Sequence, residues 1–355
     1  VQIQGRVAWG QFLLGRTDTA RVLLTRIARQ LASQPEWRYR MARIAIEGGD
    51  LRHAADLLLP EAVRSRGTDD EIVGLLDRVG GMLSQTERLQ QEMRRRVGLA
   101  DRRAMAVAGE MGGQLVTLTA SDGFSLGGLL VRAAEAPSRR PPLLAVVLLA
   151  SPDSLGAADS LTVALHAHGV TTLLLYPRGS GFSVGASCPS PEAWFARETF
   201  LQDRVAHDVV DAARWARSVA RVDTTRLLVV GVGSGAAAAI EAATLEPRVK
   251  ALLLVSPAPA LVDRGEARAR IARLRLPVFY QIAADDLYPA LSVAEMLYDA
   301  GNRGASRIVE SHMSGSGLAQ FRDEPALARR FLAWLDETLR PTPGARPATP
   351  RGSRR

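Results

Sequence analysis

The sequence predicts an α/β protein: a doubly wound, mostly parallel sheet preceded by a small all-α helical-repeat region. Three observations carry this. After residue 140, continuous apolar runs such as "LLAVVLLAS" (143–151) alternate with segments of helical period, as when strands buried on both faces are covered by helices. Before residue 100, apolar residues recur only at helical spacing, as at Val22, Leu23, Ile27 and Leu31. Between the two, "QLVTLTASDGFSLGGLLVRA" (114–133) alternates in period two on either side of Asp122–Gly123, which reads as a β-hairpin.

In the first 100 residues, "LLGRTDTARVLL" (13–24) recurs as "EGGDLRHAADLL" (47–58). Gly15 matches Gly49 and Ala20 matches Ala54, both at an interval of 34 residues. A third, weaker unit is expected to start near Thr68 and turn at Gly80–Gly81. The period, with glycine at the inter-helix turn and alanine at the tight crossing, resembles a short tetratricopeptide-like array over 1–100. Such an array implies a protein or peptide partner held in a groove; the alternative is a helical cap on the next domain. Residues 90–113 read as a charged helix and linker, with the linker over 101–113 ending in the breaker Gly112–Gly113.

The sheet domain is expected over 114–340. After the hairpin come the strand "LLAVVLLAS", the helix "SLTVALHAHG", and the strand and loop "TTLLLYPRGSG". The helix "LQDRVAHDVVDAARWARSV" and the strand "RLLVVG" follow, then an alanine-rich helix. The strands "KALLLVSP", "PVFYQIAADD" and "SRIVESHM" and the amphipathic helix "PALARRFLAWLDETL" close it. The tail 341–355 is Pro/Arg-rich and is expected to be disordered.

Bulk properties exclude several classes. The net charge of +8 comes almost wholly from arginine, since Lys250 is the only lysine. The arginines are scattered and aromatics make up 5%, so no specific nucleic-acid surface is expected. No apolar stretch approaches the ~18 residues needed to span a bilayer. The chain begins with Val1, as an exported protein lacking its leader or a truncated one would, so the compartment is either cytoplasmic or exported. The lone Cys188 excludes an internal disulfide framework. The five histidines have no metal-site spacing, and no metal or cofactor is expected.

Five local patterns, in order, resemble the α/β-hydrolase superfamily, in its peptidase and acetylxylan-esterase-like branches. They are "SDGFSLGGLL", "YPRGSGFS" (176–183, similar to a D-x-R-G-x-G-x-S loop with Tyr176 for the acid), "VDTTRLLVVGVGSGAA", "LPVFYQIAADDLYP" and "HMSGSGLAQF". The resemblance implies a strand–turn–helix elbow carrying a nucleophile as G-x-S-x-G, an acid after a later strand and a histidine before the last helix. In the register Gly231-x-Gly233-x-Gly235, glycine stands at the nucleophile position. In the next register Ser234 is the nucleophile, crowded by Val232 and flanked by Ala236. Asp286 falls at the acid position, with Asp285 behind it. Ser316, before Gly317, occupies the histidine position, and His312 lies four residues earlier.

The turn after the first long strand is Ser151-Pro152-Asp153, and Pro152 has no N–H to give an oxyanion. Ser151, Gly235 and Ala236 are the oxyanion-loop candidates. The expected function is therefore a scaffold or ligand- and partner-binding protein with a degenerate triad. A small ligand would sit in the hydrolase pocket. The alternative is an active serine esterase or peptidase-like hydrolase using Ser234, His312 and Asp286. A third reading takes Gly231-x-Gly233-x-x-Ala236 as a dinucleotide fingerprint, but no acid closes the next strand at Ser256-Pro257.

Overall fold

The computed structural model describes residues 2–31, 35–133, 141–149, 155–179, 181–184, 198–258, 266–284, 286, 290–312 and 317–339. Seven helices come first: α1 (Gln2–Leu13), α2 (Thr17–Thr25), α3 (Ala28–Leu31), α4 (Pro35–Glu47), α5 (Leu51–Arg64), α6 (Asp70–Leu83) and α7 (Thr86–Glu110). They form three hairpins, α1/α2, α4/α5 and α6/α7. The first two turn through Gly15 (φ +77°) and Gly49 (φ +74°), with the same closing hydrogen bonds. Gly15 N donates to Phe12 O and Arg16 N to Gln11 O; Gly49 N donates to Ile46 O and Asp50 N to Ala45 O. Ala20 and Ala54 are both fully buried.

The third turn departs from expectation. It lies at Ser84 (φ +55°), not at Gly80–Gly81, which complete the last turn of α6. Gly80 is needed there for another reason: a Cβ on it would lie 2.7 Å from Thr86 Cα, so α6 and α7 meet backbone to backbone. The three left-handed turn residues 15, 49 and 84 stand at intervals of 34 and 35.

Helix α7 runs through the segment read as linker. Leu89 and Met93 pack on the helical core, while Ala104, Val107, Ala108 and the C-capping Met111 lie in the core of the sheet domain. The 104/107/108/111 spacing is that of one buried helical face.

The sheet has eight strands: β1 (Gln114–Thr119), β2 (Ser125–Val131), β3 (Leu143–Leu148), β4 (Val170–Leu175), β5 (Leu227–Val232), β6 (Val249–Val255), β7 (Val278–Ala283) and β8 (Arg307–Ser311). Their spatial order is β1-β2-β4-β3-β5-β6-β7-β8. β1 and β2 form the expected antiparallel hairpin, closed by Ala120 N to Phe124 O with Gly123 at φ +83°. β2 is also antiparallel to β4, and every later pairing is parallel.

Helices cover both faces. One carries α9 (Glu198–Val219), α10 (Gly235–Leu245), α11 (Glu266–Leu274) and α12 (Ala290–Ala300). The other carries the end of α7, α8 (Leu155–Ala167), α13 (Ala319–Asp323) and α14 (Ala326–Leu339). Continuous burial of β4, β5 and β7, and of β3 after Leu143, follows from this two-sided cover. The expected disordered tail lies outside the described residues.

The loop after β4 locks the hairpin to the sheet. Arg178 makes four hydrogen bonds, Nε and Nη2 to Asp208 of α9 and Nη1 and Nη2 to Asp122 of the hairpin turn, at 2.6–2.9 Å. Its guanidinium also lies over the Phe124 ring at 4.5 Å. Arg178 holds the Asp122 carboxyl down at about 2, whereas burial outweighs the same guanidinium at Asp208 and raises its pKa. Ser183 Oγ donates to Tyr176 O (2.7 Å) and accepts from Gly127 N (2.8 Å). Tyr176, at the position usually acidic, is buried, and burial pushes its hydroxyl up to about 12. The helical region grips the same loop: Arg64 donates to Gly179 O, and Arg66 stacks over Phe182 at 4.6 Å while pairing with Asp101.

Candidate functional site

The candidate site lies at the C-terminal ends of β5 to β8, where an open α/β sheet presents its loops. β5 runs into an elbow at Gly233, whose φ is +58°. Gly233 N donates to Val255 O (2.9 Å), which fastens the elbow to the end of β6. Ser234 has helical dihedrals (φ −64°, ψ −25°), is exposed, and its side chain makes no capping hydrogen bond to α10.

The flanking glycines differ in constraint. A Cβ on Gly231 would lie 2.6 Å from Gly235 O and 2.7 Å from Ala239 Cβ, so strand and helix approach there at a distance only glycine allows. A Cβ on Gly235 would meet Leu148 Cδ2 at 3.1 Å, a side chain that can give way. The strained residue between two small neighbours is thus Gly233. In the shifted register the neighbours are Val232 and Ala236, both buried. Ala236 N, a candidate oxyanion donor, lies 3.2 Å from Gly233 O, to which it donates. Ser151, the other loop candidate, lies outside the described residues, as do Asp285 and Ser316.

Asp286 follows β7 in a turn closed on itself. Its Oδ2 accepts from Ala283 N (2.9 Å) and its N donates to Ala283 O (3.2 Å). His312 is the first residue beyond β8 and is exposed. Its N donates to Glu324 Oε2 at 3.3 Å, and Ser311 Oγ donates to the same oxygen at 3.0 Å. Ser234, Asp286 and His312 therefore stand on three loops of one sheet edge. Among the described residues no hydrogen bond joins them to one another.

A buried polar network beneath this edge was not anticipated. Ser256, at the end of β6, has φ +45°, a conformation costly for a residue with a Cβ. It is held from several sides: its N donates to Gln281 O (2.8 Å), and its Oγ accepts from Gly317 N (3.0 Å) and Gln320 Nε2 (2.8 Å). Gln281 Nε2 in turn donates to Gln320 Oε1 (2.9 Å). Val232 Cγ1 would lie 3.4 Å from a Cβ on Gly317, so the elbow and the loop before α13 meet here. Ser256 is also where a dinucleotide fingerprint expects its acid; here the position holds a hydroxyl committed to the fold. The signal in the sequence was faint: one serine after an apolar run, one glutamine in an otherwise apolar strand and another in a short helix.

Among the described residues no group of three His, Cys, Asp or Glu could hold a metal ion, and no helix is long and apolar enough to cross a membrane.

The acetyl xylan esterase family (AXE1) matches residues 193–264, which include the elbow. No curated protein matches the sequence. Solved structures of similar fold include the Pyrococcus furiosus esterase Pf2001, at 14% identity over 66% of this chain and 94% of that one, TM-score 0.50. The esterase domain of a Rhodothermus marinus protein is 17% identical over 63% and 98%, TM-score 0.48. A predicted CIB-like hydrolase of Thermoplasma acidophilum is 16% identical over 64% and 100%, TM-score 0.48. Such identities bear on the fold alone. With the family match at the elbow, the strand order β1-β2-β4-β3-β5-β6-β7-β8 and the antiparallel β2, the sheet domain has the α/β-hydrolase fold, with an all-helical region ahead of it.

Proposed function

We propose that the sheet domain is a hydrolase scaffold that has lost covalent chemistry and serves to bind a ligand or partner, with the tetratricopeptide-like helical region contacting a protein or peptide. The observation that carries this is Gly233. The elbow of this fold aims its nucleophile from a strained turn residue between two close-packed small ones. Gly233, at φ +58° between Gly231 and Gly235, fits that description and has no side chain. Ser316 at the histidine position points the same way, and Asp286 spends one carboxylate oxygen on its own turn. The crevice at the strand ends remains a place for a small ligand.

A second reading, a serine esterase or peptidase-like enzyme, is favoured by the exposure of Ser234 at the start of α10. It requires Ser234 Oγ within hydrogen-bond reach of an imidazole, with His312 as base and Asp286 as its orienter. The wild type and Ser234→Ala are treated with a fluorophosphonate probe and a short-chain p-nitrophenyl ester. Neither labelling nor turnover is expected from either protein. Labelling and turnover in the wild type, both absent in Ser234→Ala, would overturn the proposal in favour of the enzyme.

A further inference from the structure

Helix α7 packs on both cores with one side only. Leu89 and Met93 meet the helical core, and Ala104, Val107, Ala108 and Met111 meet that of the sheet domain. At about 100° per residue these six share one side of the helix. Arg88, Arg95, Leu99, Arg102 and Ala106 fall on the other side, within an arc of about 60°. All five are exposed. From Arg88 to Ala106 this outer face is about 27 Å long. Arg88, Arg95 and Arg102 repeat every seven residues along it, about 10.5 Å apart. Arg94, Arg96 and Arg103 flank the row and are exposed as well. The arginines that look scattered along the chain are thus gathered here on one straight face, in the interior of the sequence and between two folded units.

Little of this charge is neutralised. Residues 88–106 hold six arginines and two carboxylates. Glu92 accepts from Arg95 and Arg96, and Asp101 accepts from Arg66 of the α5–α6 turn. Among the described residues Arg88, Arg94, Arg102 and Arg103 have no carboxylate partner. With Asp101 matched by Arg66, the six arginines and Glu92 leave the face at +5. Magnitudes choose between anionic partners. An exposed ion pair with a partner protein contributes less than about fivefold to affinity and requires two long side chains to hold register. Beside an anionic lipid leaflet each cation contributes about fivefold, and mobile headgroups supply the register themselves. Leu99, 45% exposed between Arg95 and Arg102, also finds apolar surroundings at the headgroup boundary, which a nucleic-acid backbone does not offer. We infer that the outer face of α7 docks on the anionic headgroup layer of a lipid bilayer. The chain lies on that surface; among the described residues no helix is long and apolar enough to cross it. This goes beyond the proposed binding roles and is independent of the state of the elbow.

The test uses the full chain and vesicles of phosphatidylcholine containing about one third phosphatidylglycerol, at about 0.1 M salt, with binding read by co-sedimentation. The wild type is expected to bind these vesicles, to ignore pure phosphatidylcholine, and to be released at about 1 M salt, where screening falls to about 3 Å. The triple variant Arg88→Gln, Arg102→Gln and Arg103→Gln removes three cations without stranding a carboxylate. It is expected to bind about a hundredfold more weakly, at about fivefold per cation. A second triple variant, Arg268→Gln, Arg273→Gln and Arg329→Gln, makes the same change in net charge at exposed arginines elsewhere and is expected to bind as the wild type does. Matching thermal melts of both variants exclude unfolding as the cause. Absence of wild-type binding overturns the inference, as does an equal loss in the two triple variants, which would make net charge and not this face responsible. Binding of poly-glutamate or of single-stranded RNA as tight as that of the vesicles, at the same salt, overturns it in favour of an acidic protein or a nucleic acid. Fluorophosphonate labelling by Ser234 would bear on the elbow alone.

Discussion

Replacing Arg178 by methionine removes a cation but little volume, so its cost falls on the two carboxylates left behind. The Arg178 and Asp208 side chains are only 8% and 2% exposed, and Asp122 is 25% exposed. Asp122 can turn to water when its partner goes; Asp208 cannot. Breaking a buried ion pair from one side costs about 3–5 kcal/mol, chiefly because the remaining charge is uncompensated. Arg178→Met should therefore lose about that much, measured by urea unfolding with the slope checked against the wild type. Adding Asp208→Leu should restore most of it, since the stranded charge is then gone. The loss should also depend on pH. Without Arg178, burial, joined by the nearby Asp122 and Asp211 carboxylates, raises the folded pKa of Asp208 above the unfolded value. The penalty is then full above the raised folded pKa, shrinks as the pH falls through it, and is gone below about 4, where the unfolded carboxyl is protonated as well. A loss under about 1 kcal/mol, or a double variant no more stable than the single, would refute this account of the clamp.

Gly231→Ala should cost about 1–3 kcal/mol, because its Cβ meets backbone at 2.6 Å, whereas Gly235→Ala should cost under about 1 kcal/mol, because Leu148 can shift; equal losses in thermal melts would contradict the cradle. Ser84→Gly should stabilise the helical region by about 1 kcal/mol and Gly49→Ala destabilise it by a similar amount, since both positions are left-handed; chemical denaturation reads both signs. Arg178 holds the Asp122 carboxyl at about 2, below its unfolded value, so its contribution is complete above about pH 4 and is lost as the pH falls toward 2. The stability gap between wild type and Asp122→Asn should accordingly close over that interval; a gap unchanged at pH 2.5 would argue against it.

The sheet was legible because its signals are local. Apolar runs bounded by glycine and proline place β3 to β7, and Asp122–Gly123 places the hairpin. The turn at 231–235 is local in the same way, with three glycines within five residues between an apolar run and an alanine-rich helix. The third helical turn was misplaced because Gly80–Gly81 imitates a turn, while the residue that takes the left-handed conformation is a serine. Helix α7 was cut short because arginines dominate its surface and its inner face is made mostly of small residues, Ala104, Val107 and Ala108. The Arg178 clamp draws its carboxylates from residues 122 and 208, and the Ser256 network joins residues 256, 281, 317 and 320; chain separation conceals both until the sheet assembles.

The continuity of α7 has a mechanical consequence. Its 25 residues make a rod of about 37 Å, one end set among the hairpins and the other on the sheet. Tilting such a rod by about 5° at its sheet end carries the far end through about 3 Å, roughly a third of a helix diameter. The two units are thus geared rather than hinged. Arg64 and Arg66 hold the loop at 176–183 as a second strut, so force applied to the hairpins arrives at the sheet by two routes at once.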